Sequence, residues 1–302
     1  MRYLFVLNPL GGRGRALKLM DRLEPVLMER GVDYEICHTE APEHATEITR
    51  EKREDYDVVV AFGGDGTMNE VVNGIVGSDT ALGMIPLGTG NDFARSCRMP
   101  LKFDDAVENL LTGQPKKIDL GVFNGDKYFA NVVGVGFDAY AGNESKKIQK
   151  LKGTAVYVYA VFKTLRHYDS IPMTIELDDQ KIEEPTYLIS VGNGWSVGGG
   201  LQLTPDAVID DSTFHVCQIS DISSMKVVAN FTKLFNGRID DLDEVSLRTS
   251  RKVKISSEVP LPIHIDGEIP EREITEIEIE MIPEGLSVVG NWAAQSQGAG
   301  VA

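Results

Sequence analysis

The sequence predicts an α/β domain built on a parallel sheet, followed by a mainly β domain with a sandwich architecture. Two observations carry this prediction. Over the first third of the chain, short apolar runs alternate with stretches of helical periodicity, as in repeated β–loop–α units. Beyond residue 120, polar and apolar residues alternate one by one, which is typical of half-buried antiparallel strands. We expect the α/β domain over residues 1–120, the β-rich domain over residues 121–294 and a disordered tail over residues 295–302.

Four β–loop–α units make up the predicted first domain. Their strands lie at Leu4–Leu7, near Tyr34–His38, at Asp57–Phe62 and at Leu82–Pro86, and a helical segment follows each one. Glycine-rich loops follow three of these strands. Because parallel α/β sheets bind ligands at the carboxyl ends of their strands, we expect these loops to lie at a ligand site.

The second domain is predicted from hairpin and alternation signals. Asn124-Gly125 stands between two apolar runs, a pattern typical of a β-hairpin turn. We expect an antiparallel sandwich or a distorted barrel, with helical segments near Gly153–His167 and Ser223–Phe235. Further strands are expected around Thr174–Leu177, Tyr187–Val191, Phe214–Ile219 and Val253–Ile255, and from Glu276 to Met281.

The segment Gly63-Gly64-Asp65-Gly66-Thr67 carries the strongest functional signal. It follows a β-branched strand and precedes a helical stretch, so its glycine N–H groups and the helix N-terminus can together hold a phosphate. The alternative is a tight strand-to-helix turn in which Thr67 is the N-cap and Glu70 completes a capping box. Both interpretations can hold at once, and three glycines around one acid favour a ligand site.

The charge balance argues against one class of partner. A formal net charge of −16 at pH 7 disfavours nucleic acid, which proteins bind by neutralising its phosphates. The same charge opposes adsorption on an anionic membrane unless a basic patch overcomes it locally. One such patch is formed by Lys146, Lys147, Lys150 and Lys152, for which a solvated helix face is an equally good explanation.

Cysteine usage and the apolar segments predict a cytoplasmic protein. The three cysteines, Cys37, Cys97 and Cys217, fit neither a disulfide framework nor metal-ligand spacing. The first residues lead directly into a strand, without the pattern of a signal peptide. The apolar run Ala155–Phe162 is far shorter than the ~20 residues that span a bilayer. We therefore expect a soluble or peripheral protein.

Four motifs occur in a fixed order along the chain: Asn8-Pro9, Gly63-Gly-Asp-Gly-Thr-Met-Asn-Glu70, Pro86-Leu-Gly-Thr-Gly-Asn-Asp-Phe93 and Asp266-Gly-Glu268. Together they resemble the diacylglycerol kinase catalytic family, in its bacterial soluble lipid-kinase branch. The resemblance extends from the first strand to about Val289. It implies the NAD-kinase/diacylglycerol-kinase-like fold, with the active site in a cleft between the two domains.

The resemblance also implies a nucleotide site in the first domain. In this family, Asp65 would help to order ATP and its magnesium through water. Glycine N–H groups and hydroxyls can cradle phosphates without adding charge, which agrees with the composition of these segments. The positions that match segments around ATP in the family are Asn8, Pro9, Leu10, Gly11, Gly12, Thr39, Gly64, Asp65, Gly66, Thr67, Met68, Asn69, Glu70 and Thr89.

The catalytic base, by the same resemblance, lies in Asp266-Gly267-Glu268 at the end of a predicted strand. A carboxylate held on a rigid strand end is suited to accept the proton of an attacking hydroxyl. Whether Asp266 or Glu268 takes the proton stays open at this point, and a solvated turn is the structural alternative. The five histidines are scattered, with no relay or metal spacing.

A third segment, Thr204 to Thr213, resembles the family's loop for a structural magnesium. Matching positions supply the carboxylate of Asp211 and the backbone carbonyls of Val208 and Thr213, and such hard oxygen ligands suit Mg²⁺. The glycine usual after the aspartate is Ser212 here, which implies a strained loop or a weaker metal. An Asx-type turn without metal is an even alternative.

These observations predict an ATP- and Mg²⁺-dependent lipid kinase that transfers the γ-phosphoryl group to a lipid hydroxyl. Diacylglycerol, giving phosphatidate, is the substrate that the resemblance implies. The partners implied are ATP, a lipid alcohol and a transiently contacted membrane, with no nucleic acid and with room for a homodimer. NAD kinase and a non-catalytic nucleotide-binding sensor are the alternative functions.

Overall fold

The computed structural model describes residues 1–148 and 154–292. These residues form two compact units. The first unit contains Met1–Ile118 together with the C-terminal segment from Glu284, and the second contains Asp119–Pro283. The tail predicted over residues 295–302 lies outside the described residues, as do Lys150 and Lys152 of the predicted basic patch.

The first unit has the predicted parallel α/β architecture. Its four strands pair in parallel in the order β2-β1-β3-β4. Strands β1, β3 and β4 are almost wholly buried because helices cover the sheet, whereas the edge strand β2 is only half-buried. The elements are β1 (Arg2–Leu7), α1 (Gly11–Gly14), α2 (Ala16–Glu29), β2 (Asp33–His38), α3 (His44–Lys52), β3 (Val58–Gly63), α4 (Asp65–Ile75), β4 (Ala81–Pro86), α5 (Asp92–Ser96) and α6 (Phe103–Thr112).

The core of the first unit follows from the periodicity of the sequence. Helix α2 buries Ala16, Met20, Leu23 and Leu27, which recur on one face of the helix and pack against the sheet. Turn α1 departs from helical geometry, since Gly12 and Arg13 have φ angles of 58° and 60°. This segment is therefore a loop in conformation, as its glycine content predicts.

The predicted capping box at the start of α4 is wrong. Helix α4 begins at Asp65 and its N-cap is Gly64, so Thr67 lies inside the first turn. The Thr67 hydroxyl accepts a hydrogen bond from Asn8 Nδ2 at 3.3 Å instead of capping the helix. The Glu70 carboxylate accepts one from the backbone N–H of Ala45 at 3.0 Å. Both side chains bind neighbouring segments, and the helix starts three residues earlier than the box assumes.

The second unit is built on antiparallel strands. The main order is β11-β10-β9-β8-β12-β14; β9 also pairs with β7, and β7 with β13. The hairpin at Asn124-Gly125 forms as predicted, with φ angles of 49° and 80°. The elements are β5 (Gln114–Phe123), β6 (Lys127–Phe129), β7 (Val132–Gly136), α7 (Phe137–Lys146), α8 (Thr154–Thr164), β8 (Ile171–Leu177), β9 (Gln180–Gly192), β10 (Phe214–Ser220), α9 (Ser224–Asn230), β11 (Val245–Ser250), β12 (Lys252–Ser256), β13 (Ile263–Ile265) and β14 (Glu276–Gly290).

Two hydrophobic clusters stabilise this unit. One lies between strands and includes Phe129 and Phe214, whose rings stack at 5.7 Å. The other contains residues of α7 and α8 and of the strands on which they pack, with Phe137 stacked on Tyr187 at 4.7 Å. Helices α7, α8 and α9 thus have apolar inner faces that the strand alternation alone does not reveal.

The last strand differs from the expected division of the chain. Residues 121–294 are expected to form one continuous domain, whereas the chain from Glu284 onward belongs to the first unit. The reason is a strand pairing, because Val288 of β14 pairs in parallel with Leu82 of β4. In the other half of the same strand, residues Glu276–Glu280 pair with β12.

Within residues 1–148 and 154–292, no helix combines the length and apolar character needed to cross a bilayer.

Candidate functional site

Two glycine-rich loops of the first unit come into backbone contact. The N–H of Leu87 donates to the carbonyl of Gly63 at 2.6 Å. A Cβ placed on Gly88 would lie 2.9 Å from the Cα of Gly64, which is closer than side-chain carbons approach backbone. Both positions therefore require glycine because the loops after β3 and β4 touch there.

The loop after β1 joins the same place through Asn8. The Asn8 amide donates from Nδ2 to Thr67 Oγ1 at 3.3 Å and accepts from the N–H of Leu10 at 2.9 Å. A Cβ on Gly12 would lie 3.4 Å from the Cβ of Leu87. The three loops that follow β1, β3 and β4 thus converge at the carboxyl edge of one sheet, as the sequence predicts.

Asp65 organises the loop after β4. Its carboxylate accepts hydrogen bonds from the backbone N–H groups of Asn91 and Asp92, each at 2.7 Å. Asn91 has a φ of 51°, a left-handed conformation that these contacts stabilise. Asp65 therefore fixes the Gly88–Asp92 loop directly, a role that the sequence analysis did not assign to it.

A second carboxylate lies beside Asp65. A Cβ built on Gly90 would lie 2.6 Å from Asp92 Oδ2 and 3.1 Å from Asp65 Oδ2, so both carboxylates face the same glycine. Carboxylate oxygens are hard donors of the kind that Mg²⁺ prefers. The residues present therefore fit the magnesium ion that the family resemblance implies. The sequence analysis missed Asp92, although the motif that contains it was recognised.

The other residues predicted to lie around the nucleotide differ in how far they are exposed to solvent. Leu10 and Thr89 are exposed, and Asn8, Pro9, Gly12, Thr39, Gly64 and Gly66 are half-buried. The Thr39 N–H donates to the carbonyl of Leu7 at 2.9 Å, so this residue lies at the end of β1. Gly11, Thr67, Met68 and Asn69 are buried and support the loops from behind.

In the second unit, Asp266 is a structural centre of its turn. Its carboxylate accepts three backbone hydrogen bonds, from the N–H of Ala130 at 3.0 Å, of Asn131 at 3.0 Å and of Val132 at 2.8 Å. The Asp266 N–H donates in return to the carbonyl of Val132 at 2.9 Å. These bonds join the end of β13 to the β6–β7 junction and occupy the carboxylate of a residue that is only 8% exposed.

Glu268 is placed differently. Asp266 and Gly267 have φ angles of 48° and 86°, so they form the centre of a tight turn of the type I′ class. Ile265 and Glu268 close the turn through two backbone hydrogen bonds, of 2.7 and 2.9 Å. The Glu268 side chain is exposed at the end of this rigid turn. Of the two acids, Glu268 is thus the one whose carboxylate can meet a substrate.

A buried histidine–aspartate pair supports the same turn. His264 Nε2 lies 3.2 Å from Asp138 Oδ2, and His264 Nδ1 accepts the N–H of Gly267 at 3.3 Å. Because Nδ1 is an acceptor, the proton of a neutral imidazole is on Nε2 and points at the carboxylate. A Cβ on Gly134 would collide with both side chains. The spacing of the histidines along the chain gave no sign of this buried pair, in which His264 supports the turn.

Burial around this pair keeps neighbouring groups neutral. Desolvation, with a smaller contribution from the charge of Asp138, raises the pKa of the Tyr168 phenol. The same two causes raise the pKa of the Cys217 thiol. The signal for this pair in the sequence was the position of His264, two residues before Asp266.

The predicted structural metal loop forms an Asx-turn. Asp211 Oδ1 accepts the N–H of Thr213 at 3.2 Å, and Asp211 Oδ2 lies 3.0 Å from His215 Nε2. Ser212 adopts a φ of 62°, the left-handed conformation that the family's glycine would take. Val208 is exposed. In the part of the chain that the structure describes, no cluster of three or more His, Cys, Asp or Glu side chains could hold a metal. Both oxygens of the Asp211 carboxylate thus have partners within the chain.

Comparison with known proteins finds two matching family models along the chain. Residues 2–123 match the diacylglycerol kinase catalytic domain, and residues 131–290 match the YegS C-terminal NAD kinase beta sandwich-like domain. The diacylglycerol kinase of Mycobacterium tuberculosis is 31% identical over 93% of this chain and 93% of its own. That of Staphylococcus saprophyticus is 28% identical over 88% of each chain.

A solved structure shows the same arrangement of elements. The crystal structure of a candidate diacylglycerol kinase from Bacillus anthracis aligns with a TM-score of 0.81 and 25% identity, covering 97% of this chain and 98% of that one. The chain belongs to the diacylglycerol kinase family and is a lipid kinase.

Proposed function

We propose that the protein transfers the γ-phosphoryl group of ATP to the hydroxyl of diacylglycerol, producing phosphatidate and ADP. One observation supports this most directly: Asp266 is occupied by three backbone N–H groups, while Glu268 is exposed on the turn that Asp266 holds. Such an arrangement presents one carboxylate to an acceptor hydroxyl.

The donor side of the reaction is assigned to the first unit. The loops after β1, β3 and β4 offer backbone N–H groups and the N-terminus of α4, which suit the phosphates of ATP. No P-loop lysine is present in their sequences. Asp65 and Asp92 would hold hydrated Mg²⁺, which when bound offsets the charge of the triphosphate.

The acceptor side is assigned to Glu268. The lipid hydroxyl oxygen attacks the γ-phosphorus in line, and the bond from that phosphorus to the β,γ-bridging oxygen breaks, which releases ADP. The hydroxyl proton passes to the Glu268 carboxylate. His264 and Asp138 hold the backbone of Gly267, so they keep the turn in position as the proton moves.

The proposed substrate is a membrane lipid, so we place the protein in the cytoplasm with transient contact to the membrane surface. Its acidic character makes that contact depend on local features of the surface.

A substrate panel with purified protein tests this function. Radiolabelled ATP is supplied with diacylglycerol, a sphingoid base or NAD, each with and without Mg²⁺. We expect phosphate transfer to diacylglycerol to exceed transfer to the other acceptors. Preferred transfer to NAD would identify an NAD kinase, and nucleotide binding without transfer to any acceptor would identify a nucleotide sensor. Either result contradicts the proposal.

A further inference from the structure

A group of large apolar side chains is exposed on α8, on α9 and on the 3-10 turn Phe231–Phe235 that follows α9. We name this group the α8–α9 patch. In a folded protein, several such side chains at one place indicate a binding surface more strongly than single ones do. Its members, with their exposed fractions, are Tyr159 (51%), Phe162 (42%), Met225 (84%), Val228 (48%) and Phe235 (46%).

Contacts within the second unit make the patch continuous. The Phe162 ring lies 5.2 Å from the ring of Phe231, which lies 5.8 Å from that of Phe235. Phe231 is buried and therefore joins the two exposed rings. The hydroxyl of Ser224 donates to the carbonyl of Leu165 at 2.7 Å, which fixes the start of α9 against the end of α8.

Helical spacing adds the remaining members of the patch. Tyr159 and Phe162 are three residues apart on α8, and Met225 and Val228 are three apart on α9. Residues at this spacing are neighbours on one helix face. Each helix therefore exposes one pair of neighbouring apolar side chains, while residues on its inner face contribute to the core.

The charge around the patch contrasts with that of the chain. Residues 154–167 and 223–238 contain no carboxylate, in a chain whose net charge is −16. Carboxylates outside these segments pair with their lysines: Glu144 with Lys163 at 3.3 Å, Asp241 with Lys233 at 3.3 Å and Glu244 with Lys226 at 2.6 Å. The basic residues of the two segments are Lys163, Arg166, Lys226, Lys233 and Arg238.

We propose that the α8–α9 patch docks the protein on a lipid bilayer. Apolar side chains surrounded by lysine and arginine are the composition of surfaces that lie in the membrane interface. The five basic residues outnumber the three carboxylates that pair with them, and this excess makes the face complementary to anionic headgroups, which the acidic remainder of the chain would repel. A second copy of the chain fits less well, because a two-fold interface would bring the same basic residues together.

The patch is also connected to the proposed acceptor site. Helix α8 packs against α7, and the first turn of α7 supplies Asp138, the partner of His264. His264 in turn contacts the Asp266–Glu268 turn. Docking therefore anchors the helix layer that supports the turn, and to this extent the inference rests on the proposed function.

Vesicle sedimentation of the full chain tests the docking surface. The probes are phosphatidylcholine vesicles with and without about a third phosphatidylglycerol. A triple variant, Phe162→Ser with Met225→Ser and Phe235→Ser, removes the apolar contacts. Met28→Ser with Val259→Ser is the matched control, because both residues are exposed apolar side chains away from the patch.

A comparison of two charge variants isolates the electrostatic contribution to vesicle binding. Lys163→Gln with Arg166→Gln is compared with Arg50→Gln with Lys102→Gln, which changes the net charge by the same amount at exposed positions elsewhere. We expect the triple variant to bind both vesicles at least tenfold more weakly than wild type. The patch charge variant should bind the anionic vesicles up to about 25-fold more weakly, since it removes two basic residues and each one near such a surface contributes roughly fivefold. Both controls should bind like wild type.

Two further measurements separate docking from catalysis and from self-association. Sedimentation is scored without ATP, so vesicle binding is decided even if diacylglycerol is not the substrate. Circular dichroism shows whether each variant is folded, and a folded triple variant that binds vesicles like wild type overturns the proposal. The proposal is also overturned if wild type binds neither kind of vesicle. Light scattering that shows wild type as a dimer and the triple variant as a monomer would instead make a second copy the occupant.

Discussion

Asp266 and Glu268 are two acids one residue apart, and the structure predicts opposite consequences for their amide variants. Glu268→Gln changes an exposed side chain, so we expect the free energy of unfolding to stay within about 0.5 kcal/mol of wild type. It removes the proposed proton acceptor, so turnover should fall about a thousandfold, within the range for loss of a general base.

Asp266→Asn acts on the fold. The amide keeps one oxygen, but its nitrogen cannot accept the N–H of Ala130 that Asp266 Oδ2 now accepts at 3.0 Å. Loss of one buried, charge-assisted hydrogen bond costs about 2 kcal/mol. Since asparagine tolerates the left-handed φ of 48°, backbone strain adds little to that cost. For a unit of this size, the melting temperature should fall by about 6 °C.

The assay combines thermal unfolding with initial rates on diacylglycerol in mixed micelles. Rates are measured below the transition, where both variants are folded. We expect Glu268→Gln to be stable and inactive, and Asp266→Asn to be less stable with part of its activity kept. The reasoning is refuted if Glu268→Gln turns over like wild type. It is refuted equally if Asp266→Asn melts like wild type and is inactive, because the Asp266 carboxylate would then act in the chemistry.

Three other outcomes are expected. Gly88→Ala should weaken nucleotide binding and lower the free energy of unfolding by about 1–3 kcal/mol, because the new Cβ would lie 2.9 Å from the backbone of the loop after β3. Isothermal titration with ATP measures the binding, and urea unfolding measures the stability. His264→Ala should lower kcat by tenfold or more with little change in KM. His264→Asn keeps an N–H donor for Asp138 and should recover part of the rate. Equal rates for the two variants would exclude a role of His264 in positioning the turn. The pKa of Glu35 is lowered to about 2, and a hydrogen bond from Lys52 is the largest cause. The Glu35–Lys52 pair is half-exposed, so it adds at most about 1 kcal/mol to the free energy of unfolding. This stabilisation is present above pH 5 and is lost toward pH 2. The stability difference between wild type and Glu35→Gln in urea should therefore shrink as the pH falls, and a constant difference would contradict this.

Sequence periodicity predicted the architecture well, since burial patterns with periods of 3.6 and 2 are local properties of a chain. The face of α2 and the hairpin at Asn124-Gly125 formed as expected. The start of α4 did not form as expected, because its N-cap is Gly64 and not Thr67. How the chain enters this helix depends on a contact with Asn8, which is far away in sequence.

The convergence of the glycine loops was predictable for the same reason, because a parallel sheet places the ends of its strands at one edge. The pairing of β14 with β4 was not predictable, because a single strand can join either unit and only long-range pairing decides. The histidine pair was missed because His264 and Asp138 are 126 residues apart, and no local pattern joins them.

The sequence by itself determined the two kinds of architecture, the position of the loops and the family to which their motifs point. The tertiary structure alone decided the different environments of two neighbouring acids. Both are carboxylates on one turn, and their sequence spacing is compatible with either as the base. Asp266 is buried, and three backbone N–H groups from a distant strand junction converge on its carboxylate, whereas Glu268 is exposed. Burial and hydrogen bonding depend on residues brought together by folding, and this is why the difference between the two acids emerges only in three dimensions.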